Sequence, residues 1–180
     1  MLETLHHPKR SIRKEVSWVM SNLTAGTNDQ LQACIDGGLI DQLSQILLHD
    51  DATVKMEAVW ALSNCTASAN PIQFNQLVQK GLIKALGGIL KQKDVRMLAV
   101  ALEGLDNTLK CGQKHNLNDD GENYYTVLLE QEGCLDDLEE LQQHPNHNIY
   151  EAALKIIDTY FQDEAGDDPL MQALNNASQN

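Results

Sequence analysis

The sequence predicts an all-α solenoid of about four stacked repeats, each built from two to three helices and wound into a right-handed superhelix. Three observations predict it. Residues 12–26 (IRKEVSWVMSNLTAG) superpose on residues 54–68 (VKMEAVWALSNCTAS) with an offset of 42, matching Glu15/Glu57, Trp18/Trp60, Ser21/Ser63, Asn22/Asn64 and Thr24/Thr66. A second element recurs at residues 37–49 (GGLIDQLSQILLH), 80–92 (KGLIKALGGILKQ) and 132–144 (EGCLDDLEELQQH), each time a glycine followed by an amphipathic helical pattern. Aromatic residues make up only 4% of the chain against an apolar share of 42%, carried largely by Leu and Ala, which favours helices over sheets.

Two helix patterns recurring together with a period in the forties are the mark of HEAT and armadillo stacks. The long third helix of each unit is expected near 12–26, 54–68, 97–110 and 149–162, the last two being weaker copies. Short first helices are expected at 29–36, 73–79 and 124–131, and Gly38, Gly81 and Gly133 then supply the positive φ of a sharp turn into the second helix. Residues 115–123 (HNLNDDGEN) read as a polar loop insertion, residues 1–162 as the solenoid, and residues 163–180 as an acidic disordered tail. The opening MLETLHH resembles the end of a second helix without its partners, so Leu2 and Leu5 are expected to leave an apolar end uncovered.

The net charge of −13 is unevenly spread. Residues 1–114 hold 11 acids and 12 Lys/Arg, whereas residues 115–180 hold 15 acids and only Lys155. Such a surface repels phosphates and suits basic protein partners, so neither nucleic acid nor membrane is expected as a partner. No run approaches the roughly 18 apolar residues of a membrane span, and the first ten residues lack the apolar core of a secretory leader. A soluble intracellular protein is expected, in which the four dispersed cysteines, Cys34, Cys65, Cys111 and Cys134, stay free thiols.

At about 100° per residue, Ile12, Val16, Val19, Met20 and Leu23 form one apolar stripe, and Val54, Ala58, Ala61, Leu62 and Cys65 form its equivalent. Glu15, Trp18 and Asn22 fall within roughly 60° of one another and about 110° away from that stripe, as do Glu57, Trp60 and Asn64. A single Trp beside a core stripe is ordinarily a half-buried boundary residue. Two of them, each with Glu three residues before and Asn four residues after, point instead to a binding strip. The Asn amides would hold the main chain of an extended peptide, the indoles would take the stems of Lys or Arg, and the carboxylates would select positive charge.

The same segments, with LEGLDNTLK at 102–110 and the terminal YFQDE, resemble the last four armadillo repeats of the importin alpha family, adaptors for cargo with nuclear localisation signals. The resemblance implies a protein of cytoplasm and nucleus that binds basic cargo peptides. It implies that Trp18, Asn22, Trp60 and Asn64, with Glu15 and Glu57, form the family's second, or minor, signal site. In the third repeat Glu103 stands in the Trp place and Asn107 keeps the amide, giving half a site; in the fourth, Ala152, Lys155 and Thr159 leave nothing of it. The resemblance further implies an export-receptor surface at residues 149–164, where a capping repeat is an equally good reading. Contact with importin beta is implied only through an N-terminal segment that this chain lacks.

No GxxxxGK, GxGxxG, GxSxG or HExxH pattern occurs, so no enzyme, cofactor or catalytic residue is expected. His144 and His147 lack a third ligand in the sequence, and no metal is expected. The competing function is an adhesion-type armadillo scaffold without a transport role, binding acidic peptides. It should line its groove with Lys and Arg, whereas Glu15, Glu57 and Glu103 accompany the strip here.

Overall fold

The computed structural model describes residues 2–161, in which a 3-10 turn at Leu2–His6 leads into ten α-helices. In chain order these are α1 (Arg10–Thr24), α2 (Asn28–Asp36), α3 (Leu39–His49), α4 (Ala52–Ser68), α5 (Pro71–Gln79), α6 (Leu82–Gly87), α7 (Val95–His115), α8 (Tyr124–Gln131), α9 (Cys134–Leu141) and α10 (His147–Tyr160). The long helices α1, α4, α7 and α10 pack side by side in that order, with α3, α6 and α9 behind them.

Each boundary has a local cause. Thr27 and Asn70 open α2 and α5 with capping boxes closed by Gln30 and Gln73. Asp51, Asp94, Asn123 and Asn146 accept first-turn amides of α4, α7, α8 and α10, satisfying donors that a helix start leaves orphaned. The turns between first and second helices pass through Gly38, Gly81 and Gly133 at φ of 82°, 93° and 72°, a conformation that a side chain disfavours.

The second helix of the middle repeat is shorter than expected, ending at Gly87, and the chain continues through hydrogen-bonded turns at Ile89 and Leu90. Gly87 and Gly88 weaken the helix there, and Gly87 lets the Cys134 thiol of α9 approach the α6 backbone. Helix α7 is longer than expected at both ends and absorbs His115, so the insertion begins at Asn116. Its stem is tied by Tyr124 N–H to Asn116 O (3.0 Å) and by Asn123 Nδ2 to Leu109 O (2.8 Å). Gln162 and the expected tail, 163–180, lie outside the described residues.

In α4 the apolar stripe is buried as the wheel predicts: Val54, Ala58, Ala61, Leu62 and Cys65 are all shielded from solvent. In α1 only Met20 of the expected five is fully buried, while Ile12, Val16, Val19 and Leu23 are half-buried and Ser17, Ser21 and Thr24 are buried instead. The reason is the neighbourhood. Helix α4 lies between α1 and α7 with α3 and α6 beneath it, whereas α1 turns its small hydroxyl face to α4. The expectation of an uncovered Leu5 is also corrected: Leu5 is fully buried, in the turn that packs on α1 and α3. The Leu2 side chain lies outside the described part.

All four cysteines are free. Burial raises the thiol pKa of Cys65 and raises that of Cys134 to about 11, so neither is a thiolate near neutral pH.

Candidate peptide-binding face

Helices α1 and α4 run in the same sense and close to register, because hydrogen bonds join residues 43 and 44 apart in sequence. Asn64 Nδ2 donates to Ser21 O (2.8 Å), and Ser68 Oγ donates to Thr24 O (2.6 Å). Asn107 Nδ2 of α7 reaches Thr66 Oγ1 of α4 (3.2 Å), itself donating to Ser63 O (2.6 Å). A parallel rung joins the first helices, where Gln73 Nε2 donates to Asn28 O (2.8 Å). Small residues on the facing sides, Ser17, Ser21, Ala61 and Ser63, are buried and permit this approach.

Consecutive repeats therefore bring Trp18 and Trp60 onto one surface. Their exposure, 51% and 43%, is large for the most apolar-rich side chains in the protein, and it follows from the wheel: both lie off the stripe that packs inward. Glu15 and Asn22 are exposed beside Trp18, and Glu57 and Asn64 are half-buried beside Trp60. Glu103 is exposed and Asn107 half-buried on α7, extending the carboxylate and amide rows without an indole. The three amides are not equivalent. Asn22 has no side-chain hydrogen bond among the described residues, while Asn64 and Asn107 each commit one N–H to the helix before. Their Oδ1 atoms and second N–H groups stay available, so the row can still pair with an extended main chain.

The strip was expected to end at the fourth repeat, but sequence reasoning missed the contact made there. Lys155 of α10, at the place occupied by Trp in α1 and α4, forms an ion pair with Asp106 (Nζ to Oδ2, 2.6 Å), and the Tyr160 hydroxyl donates to Asp106 Oδ1 (3.0 Å). Burial, then the bond to Asp106, raises the Tyr160 pKa, so it remains a donor. The signal was present: Lys155 is the one Lys or Arg after residue 114. His147 contacts Glu151 (3.0 Å) and stacks on Tyr150, and among the described residues no three His, Cys, Asp or Glu converge on a metal-sized site.

A ladder of parallel third helices joined to paired shorter helices is the architecture of an armadillo-repeat protein. The Armadillo/beta-catenin-like repeat matches residues 27–67 and the Atypical Arm repeat matches residues 123–174. Among similar proteins, importin subunit alpha-4 of Arabidopsis thaliana is 44% identical over 181 residues, covering 99% of this chain and 33% of the relative. Importin subunit alpha-1a of Oryza sativa subsp. japonica is 41% identical over 160 residues, covering 88% of this chain and 30% of the relative. Over most of its length the chain is similar to importin alpha subunits, and it spans about a third of the length of these relatives. Among solved structures, a designed armadillo repeat protein in complex with the peptide (KR)4 superposes with a TM-score of 0.72 at 25% identity, covering 87% of this chain and 61% of the other.

Proposed function

We propose that the chain is the peptide-binding part of a nuclear import adaptor, holding an extended Lys/Arg-rich segment of the nuclear-localisation-signal type across α1, α4 and α7. The observation that carries this reading is the pair of exposed indoles on adjacent helices close to register, each with a Glu three residues before it. The slot between them takes an alkyl stem, and the ring faces attract its cation with about 0.5–2 kcal/mol apiece. Glu15, Glu57 and Glu103 give the slot its charge preference, and Asn22, Asn64 and Asn107 hold the peptide main chain irrespective of its side chains. The importin alpha names of the relatives and the (KR)4 peptide of the designed armadillo protein support the same class of ligand.

The test is fluorescence anisotropy with a labelled basic bipartite peptide and its charge-reversed counterpart. Affinity near the micromolar range, on the order of −8 kcal/mol, is expected for the basic peptide, since only two complete Trp/Asn units are present. Trp60→Ala should weaken it about ten-fold with helicity unchanged by circular dichroism, because Trp60 borders both the Trp18 slot and the Glu103 position. Unchanged affinity in the folded variant, or tighter binding of the acidic peptide, removes the reading.

A further inference from the structure

Beyond Asn107 the strip changes character. Glu103, Asn107, Lys110 and Lys114 are spaced 0, 4, 7 and 11 along α7 and so share one face of it. Lys110 stands where the first two repeats have Ala25 and Ala67, and α7 then runs on to His115, whereas α1 stops at Thr24 and α4 at Ser68. The extra length builds a cleft of about 200 Å³ between the start of α5 and the end of α7. Ala69 and Pro71 form its apolar side, Lys110, Lys114 and His115 its basic side, and Asn107 belongs to both cleft and strip.

Three properties of the cleft point to an anion. All three basic side chains are exposed, and none has an ion-pair or hydrogen-bond partner among the described residues, in contrast to Lys155, whose charge Asp106 takes up. The positive charge lies in a chain of net charge −13, next to a row of carboxylates that favours cations. Favourable interaction with the helix dipole accounts for Lys114 and His115 in the last turn of α7. It does not account for Lys110, a full turn earlier, which lies at i, i+4 from Lys114, where like charges destabilise a helix.

We propose that this cleft is an anionic subsite, which binds a carboxylate or phosphate side chain flanking the basic segment of a peptide held on the Trp/Asn strip. The proposal rests on the peptide-binding reading above and deepens it: the ligand is a charge-patterned peptide, basic over α1 and α4 and anionic at α7. Asn107 holds the main chain at the junction, and Lys110 and Lys114 close on the anion from consecutive turns.

Anisotropy at physiological salt, on the 180-residue chain, compares one labelled basic peptide carrying a neutral Ser-Ser flank, an Asp-Asp flank or a phosphoserine flank, each placed at either end. In the unaltered protein an anionic flank at one end should tighten binding about five-fold over the neutral flank, a gain typical of one charge-assisted contact. In Lys110→Gln/Lys114→Gln that ratio should fall to about one, whereas Trp60→Ala should weaken all the peptides while keeping the ratio. A larger gain for phosphoserine assigns phosphate as the preferred anion, and equal gains assign any anionic side chain. A ratio of one in the unaltered protein, or the same ratio in the double variant with its thermal melt intact, overturns the subsite and leaves the peptide-binding reading standing. Absence of binding to every basic peptide overturns both.

Discussion

Ser17 is fully buried, and its Oγ has no hydrogen-bond partner within the described structure. The equivalent residue of the next repeat is Val59, also fully buried, so the position asks for a small apolar group and has a hydroxyl in α1. Removing an unsatisfied buried polar atom should be favourable. Ser17→Ala is expected to raise stability by about 1 kcal/mol, read as a higher urea midpoint with an unchanged slope. At Asp50 the balance is the reverse. Arg13 donates to both carboxylate oxygens, Nε to Oδ2 at 2.6 Å and Nη2 to Oδ1 at 2.8 Å, and this pairing holds the Asp50 pKa below its ordinary value. A carboxylate with a depressed folded pKa contributes stability that is complete above the unfolded value near 3.9 and is lost as pH falls through the folded value. Urea midpoints measured from pH 6 down to 3 should therefore fall less steeply in Asp50→Asn than in the unaltered chain.

Among the elements, the short α6 shows how one missing side chain sets a helix-to-helix distance. A Cβ on Gly87 would run into the Cys134 thiol, which is buried on α9, so the two repeats meet here at backbone range. Gly87→Ala should destabilise by about 1–3 kcal/mol through overpacking, despite the better helix propensity of alanine. Combining it with Cys134→Ala should recover part of that loss, because the added methyl enters the space the sulfur leaves. The pair should accordingly be non-additive in a double-mutant cycle of urea denaturation, and strict additivity would mean that the α6–α9 distance is set elsewhere. Helix α7 carries a comparable device at Gly104, where a Cβ would stand 3.1 Å from Leu86 of α6.

For the whole molecule, the packing of each repeat against its neighbours makes stability approximately a sum of local terms, with no single centre on which the fold depends. The junction between α7 and α10 differs from those of α1 with α4 and α4 with α7, because it is joined by a charged cluster, Asp106 with Lys155 and Tyr160, instead of a rung donated by an Asn amide. Asp106→Ala leaves the Tyr160 hydroxyl without its carboxylate and Lys155 without its counterion. Hydrogen exchange should then quicken in residues 147–160 while α1 and α4 keep their protection, a separation that a single cooperative core would not allow. Uniform acceleration along the chain would contradict the nearest-neighbour picture.

Repetition is what made so much of this protein readable from its residues. A 42-residue offset between two Trp-bearing segments, together with the glycine-led element that recurs at 37–49, 80–92 and 132–144, determined the helical class, the order of the helices and the three glycine turns, because a repeat must reproduce the same backbone to stack. Helical periodicity alone also set Trp18 and Trp60 off the apolar stripe, and both are exposed. What depended on the neighbours was not readable. Whether a stripe is buried on one side or two was decided by how many helices flank it, which is why α4 follows the wheel and α1 buries Ser17, Ser21 and Thr24. The division of labour among the three asparagines was decided the same way, since Asn64 and Asn107 donate to the preceding third helix and Asn22 does not. The pairing of Lys155 with Asp106 joins residues 49 apart in sequence. A wheel describes the directions around one helix, and only the stacking of helices determines what each direction meets.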